Sequence, residues 1–122
     1  MAHILIVEDN PVVRMLLEAH LEAASHTVMA AANGDEALQL VAAVKPDLVI
    51  SDLDMPNLDG FGLLRALRAD ATLANLPVIF LTGHDDPDTF RKSAMSGAND
   101  FVNKPINRDV LLRAIGNCLD PR

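Results

Sequence analysis

Two spacings of apolar residues alternate along this chain. Short runs with β character occur at "HILIV" (3–7), "TVMAA" (27–31), "DLVIS" (47–51), "PVIFLT" (77–82) and "DFVN" (100–103). Between them the apolar positions recur at three and four residues, the spacing of one helix face. The first helix is expected to start from an Asn10 N-cap with Pro11 in its first turn, and to bury Val13, Leu16, Leu17, Leu21 and Ala24. A second (35–44) presents Ala37, Leu38 and Val41, and a third (60–69) presents Phe61, Leu64 and Leu67. A fourth (87–96) carries Phe90, Ala94 and Met95, with Gly97 where it should stop. A fifth (108–119) presents Val110, Leu111, Ala114, Ile115 and Cys118.

Strands that alternate with helices imply a parallel sheet covered on both faces. The third and fourth strands are unbroken apolar runs, as strands buried on both sides must be. Right-handed crossovers then give a doubly wound α/β fold, a flavodoxin-like (βα)5 arrangement with strand order 2-1-3-4-5. In that order the winding reverses between strands 1 and 3, and a crevice opens at their carboxyl ends.

Composition narrows the picture. At 122 residues, half of them apolar, the chain suits one domain with one core, and residues 1–122 are expected to form it with no second, output domain. The net charge of -7 argues against a nucleic-acid surface and fits a cation or a basic partner. One cysteine, Cys118, excludes an internal disulfide, fits a reducing compartment, and reads as a small buried hydrophobe. The start "MAHILIVEDN" has no signal-peptide pattern, and no apolar stretch approaches the roughly twenty residues of a membrane span. A cytoplasmic protein without membrane or nucleic-acid partners is expected.

The strand ends carry the chemistry. Strand 1 runs into Glu8 and Asp9, strand 3 into Asp52, strand 4 into Thr82, and strand 5 into Lys104 and Pro105. Three acids, a hydroxyl and an ammonium therefore meet at one edge. Carboxylates so close repel, and at least one should resist ionisation unless a cation joins them. All the donors are oxygens, which selects a hard cation, Mg²⁺ first and Mn²⁺ as substitute. A metal beside a carboxylate nucleophile, a hydroxyl and a lysine is equipment for phosphoryl transfer, with Asp52 as the acceptor.

The stretches "ILIVEDNPVVR", "DLVISDLDMPNLDGFGLLRALR", "PVIFLTG" and "GANDFVNKP" occur in this order and span almost the whole chain. Together they closely resemble the receiver domain of two-component response regulators, especially small stand-alone ones like the chemotaxis regulator. The resemblance implies a phosphorylation switch and not a turnover enzyme, although it assists its own phosphorylation and slow dephosphorylation. Glu8 and Asp9 match the acidic pair that binds Mg²⁺, and Asp52 the phosphoacceptor. Asp54 matches the position whose backbone carbonyl ligates the metal and whose side chain tends to set phosphoryl lifetime. Thr82 matches the hydroxyl that turns to the phosphoryl group, Lys104 the lysine that contacts it, and Phe101 the aromatic switch residue. The family pattern also implies a cis bond between Lys104 and Pro105. The implied donor is a histidine kinase or a histidine phosphotransfer protein. The implied output face comprises the fourth helix, fifth strand and fifth helix. A monomer is expected, with dimerisation through that face left open.

Other readings compete. A haloacid-dehalogenase-type phosphatase shares the "DLD" pattern, but its nucleophile should end the first strand and its core is longer. A receiver-shaped adaptor that signals without phosphate is opposed by the intact acids, Thr82 and Lys104. His3, His20 and His26 lack metal-ligand spacing, whereas His84, two residues past Thr82, should overhang the crevice. Asp59 suits the turn after strand 3 or the cap of the third helix. Met15, Met29 and Met95 read as core or edge packing.

Overall fold

The computed structural model describes residues 2–53, 55, 58–83, 91 and 97–119. Five parallel strands form one sheet: β1 (His3–Val7), β2 (Thr27–Ala31), β3 (Leu48–Asp52), β4 (Val78–Thr82) and β5 (Asp100–Asn103). Their order is β2-β1-β3-β4-β5. Four helices are described: α1 (Pro11–Ala23), α2 (Gly34–Ala43), α3 (Gly60–Ala69) and α4 (Arg108–Leu119). The helix expected over 87–96 lies outside the described residues, except Arg91, which is helical.

Alternation along the strands splits the core into two layers, because successive side chains point to opposite faces. Leu5, Val7, Val49, Val78 and Phe80 face one way and pack with Ala37 and Val41 of α2 and Phe61, Leu64 and Leu67 of α3. Ile4, Ile6, Leu48, Ile50, Ile79 and Leu81 face the other and pack with Leu17 and Leu21 of α1 and Leu111, Ala114 and Ile115 of α4. The rings of Phe61 and Phe80 meet edge to face, with centroids 5.3 Å apart at 75°. All five residues of β3 and all five of β4 are buried, which accounts for the apolar runs Leu48–Ile50 and Val78–Leu81; the buried polar residues Ser51, Asp52 and Thr82 fall at the carboxyl ends.

Two helix faces differ from expectation. Leu16 and Val110 are 44% and 46% exposed. Each precedes a residue that faces the sheet, Leu17 and Leu111, and a step of one residue turns a helix by about 100°. Met15 is 68% exposed, so it is not core packing, whereas Met29 is half-buried against the first layer. Met95 lies outside the described residues.

Local signals fix where helices begin. Asn10 Oδ1 accepts from the N–H groups of Val12 and Val13 at 2.9 and 3.2 Å. Asn33 caps α2 through the Glu36 N–H at 2.8 Å, and Asp59 caps α3 through the Gly62 N–H at 2.8 Å. Gly60 opens α3 where the helix crosses the end of β3. A Cβ there would lie 2.9 Å from the Asp52 carbonyl oxygen and 3.0 Å from Leu53 Cα, both backbone atoms. The close approach anchors the chain immediately after Asp52.

Candidate functional site

Parallel strands deliver their carboxyl ends to one edge, and the polar residues of the chain's interior gather there. Asp52 ends β3 and is 5% exposed, and Thr82 ends β4 and is 3% exposed. Glu8 follows β1 and is fully buried, whereas Asp9, next in the chain, is exposed. Lys104 follows β5, with its main-chain N–H donating to the Thr82 carbonyl at 2.8 Å. The Lys104–Pro105 peptide is cis.

One carboxylate oxygen from each of Glu8, Asp9 and Asp52 lies within 4.8 Å of the other two. Lys104 Nζ donates to Glu8 Oε1 at 3.0 Å and stands 3.4 Å from Asp52 Oδ1. Glu8 Oε2 is buried and has no hydrogen-bond partner among the described residues. A buried carboxylate oxygen with no partner among the described residues, on a residue of a three-acid cluster, is what a cation would satisfy. The residues thus fit a hard divalent ion held by oxygen donors.

The charges make the same point. Burial, reinforced by hydrogen bonding to Asp52 and by its charge, pushes the Glu8 carboxyl up to about 7 despite Lys104. Burial works against the charge on Lys104, but its bond to Glu8 and the charges of Asp52 and Glu8 outweigh it and raise its pKa. A bound cation would reverse the penalty on Glu8 and hold it ionised.

The structure brings Glu8, Asp9, Asp52 and Lys104 together and sets Thr82 at the end of the strand beside them. Phe101 is half-buried on β5 and packs against the layer under α2 and α3. Asp54 and His84 lie outside the described residues. His26 is away from the site and accepts from the Ala2 N–H through Nδ1 at 3.1 Å. Cys118 is half-buried against the α1 and α4 layer.

Sequence reasoning missed Arg14 and Arg68. Arg14 Nη1 donates to the Glu8 carbonyl at 2.7 Å. Arg68, on α3, donates to the Leu76 carbonyl at 2.7 Å, to the Gly97 carbonyl at 3.2 Å and to Asn99 Oδ1 at 3.1 Å, tying the starts of β4 and β5 to one helix. Neither bond follows from periodicity. Arg14 and Arg68 stood only as the last residues of two motifs.

The same fold recurs in known proteins. The model of the response regulator receiver domain matches residues 4–116. Protein PilH of Pseudomonas aeruginosa is 39% identical over 119 residues, which cover 98% of each chain. The receiver domain of a signal transduction histidine kinase from Syntrophus aciditrophicus superposes with a TM-score of 0.92 at 37% identity, over 99% of this chain and 92% of that one. The receiver domain of a Pseudomonas aeruginosa sensor histidine kinase, with a magnesium ion coordinated in its active-site cleft, gives 0.89 at 30% identity over 97% of each.

Proposed function

Since this chain belongs to the response regulator receiver family, we propose that Asp52 is its phosphoacceptor and that Glu8 and Asp9 hold a magnesium ion beside it. Receiver domains are phosphorylation-activated signalling switches, and the chain is a switch of that kind. The observation that carries the residue assignment is the convergence of three carboxylates within 4.8 Å, with Lys104 3.4 Å from the one that ends a buried strand. The ion, Mg²⁺ or in its place Mn²⁺, supplies charge neutralisation when bound, and the Asp54 carbonyl is a further candidate ligand.

The donor is a phosphohistidine on a kinase or phosphotransfer protein. An Asp52 carboxylate oxygen attacks phosphorus, and the bond from phosphorus to the imidazole nitrogen breaks. The electron pair leaves with the imidazole, which takes up a proton, and Asp52 becomes an acyl phosphate. Lys104 neutralises charge that spreads over the phosphoryl oxygens, and the Thr82 hydroxyl donates to another of them. Phe101 then turns inward. The surface of β5 and α4, with the 87–96 segment outside the described residues, repacks for a target in a two-state population shift. Hydrolysis of the acyl phosphate resets the switch, and a cytoplasmic location follows from the donor.

The first turns of α1 suit donor docking. Val12 is 74% exposed and Met15 68%, within six residues of Asp9, so an apolar patch adjoins the site mouth. Among the described residues no helix is long and apolar enough to cross a membrane.

The test is the amide NMR spectrum with Mg²⁺ and beryllofluoride, a phosphoryl mimic. Shifts that spread from Asp52 through Thr82 to Phe101 support the switch. A spectrum unchanged by both additions favours the phosphate-independent adaptor.

A further inference from the structure

The acidic cluster depends on one corner of backbone. At Glu8 the chain leaves the sheet, and the carbonyl of Glu8 and the N–H of Asp9 belong to a single rigid peptide plane. The tilt of that plane decides how two adjacent acids can point one side chain into the protein and the other to its surface, yet bring both to the same place. The Glu8 N–H is tied to the sheet through the Ala31 carbonyl at 3.0 Å. The Glu8 carbonyl is held from the other side by Arg14 Nη1 at 2.7 Å. Arg14 is half-buried in α1, and its own N–H donates to the Asn10 carbonyl at 2.9 Å, so the guanidinium is carried on a fixed support.

We propose that Arg14 is a positioning residue for the metal-binding acids: its bond to the Glu8 carbonyl fixes the peptide between Glu8 and Asp9 and so sets the spacing of their carboxylates. The proposal rests on the magnesium site assigned above. It makes a prediction opposite in sign to the one charge alone would make. A guanidinium bonded to the Glu8 main chain adds positive charge beside an acidic cluster, so on charge alone its removal should leave Mg²⁺ binding equal or tighter. If Arg14 instead preorganises the corner, its removal weakens binding, because the ion must then order the peptide itself.

The test uses the whole chain with Arg14→Met, which keeps an aliphatic stem but removes both donor and charge, and with Arg14→Ala. Mg²⁺ affinity is measured by calorimetry, and the Glu8 and Asp9 amide resonances are recorded in metal-free protein. A loss of about tenfold in Mg²⁺ affinity is expected in both variants, the low end of what outer-shell partners contribute. The Asp9 amide should shift before any metal is added, and the far-UV circular dichroism of Arg14→Met should remain that of the folded wild type. Equal or tighter Mg²⁺ binding by folded Arg14→Met overturns the proposal while leaving the metal site intact. Absence of Mg²⁺ binding by the wild-type chain overturns the site assignment, and this role for Arg14 with it.

Discussion

Lys104 Nζ lies 3.0 Å from Glu8 Oε1, although 96 positions separate the two residues. The ion pair joins the ends of β1 and β5 across the carboxyl edge of the sheet and brings the ammonium to 3.4 Å from Asp52 Oδ1. Lys104 and a bound cation would thus share the Glu8 and Asp52 carboxylates. Lys104→Ala should leave Mg²⁺ binding in place while slowing phosphoryl transfer by about hundredfold, the loss typical of one removed transition-state contact. Calorimetry and the rate of labelling by a small phosphodonor measure the two effects. Equal loss of Mg²⁺ binding in Lys104→Ala and Asp52→Asn would contradict this division of roles.

Glu8 makes the metal-free protein sensitive to pH. Its carboxyl titrates at about 7 in the folded chain, against an ordinary value of 4.5. Between those values the folded state holds more protons than the unfolded state, so this group's contribution to stability falls as pH rises and levels off above the folded value. Glu8→Gln removes that contribution. In chelator, the urea midpoint of Glu8→Gln should rise relative to wild type between pH 5 and 8, followed by circular dichroism. The same window should show Mg²⁺ binding strengthening with pH in wild type, with release of a proton. A mutant-to-wild-type difference independent of pH would show that Glu8 is already ionised.

The corner after Asp52 is sterically closed. In Gly60→Ala the new methyl would press on the Asp52 carbonyl at 2.9 Å, where only the backbone can give way. A destabilisation of about 1–3 kcal/mol is expected, together with weaker Mg²⁺ binding. Gly116, inside α4, has nothing within 4 Å of the corresponding position. Gly116→Ala should therefore stabilise the chain by about 0.5–1 kcal/mol and leave Mg²⁺ binding unchanged. Thermal unfolding of the two variants side by side checks both signs.

Docking and chemistry should separate on α1. Replacing Val12 and Met15 with Ser should slow transfer from a phosphorylated histidine donor protein but not labelling by phosphoramidate, which needs no protein surface. Quench-flow phosphotransfer measures the first and mass spectrometry the second. Slowing of both by the same factor would place the effect in the site.

The alternation of strand and helix was readable in the residues because each element carries its own periodicity. The two-sided burial of β3 and β4 was readable because it puts consecutive apolar residues ahead of the polar strand ends. Asp59 as a helix cap was within reach, since capping is a local interaction. What sequence could not show was angular or long-range. Leu16 and Val110 have apolar side chains beside the buried stripe, and only the helix rotation decides that they meet water. Arg14 reaches a main-chain carbonyl, which every residue possesses, so its pairing with Glu8 left no trace in residue type. The parallel sheet implied that Lys104 and Glu8 share an edge, but their direct contact spans two intervening strands, β3 and β4, and depends on side-chain reach that residue type does not reveal.

The most direct measurement is the intact mass of the protein after incubation with phosphoramidate and Mg²⁺. Wild type should gain the mass of one phosphoryl group, and lose the gain in chelator, while Asp52→Asn should gain none. A phosphoryl group on Asp52→Asn equal to that on wild type, or none on wild type with Mg²⁺ bound, would contradict the assignment of Asp52 as the acceptor.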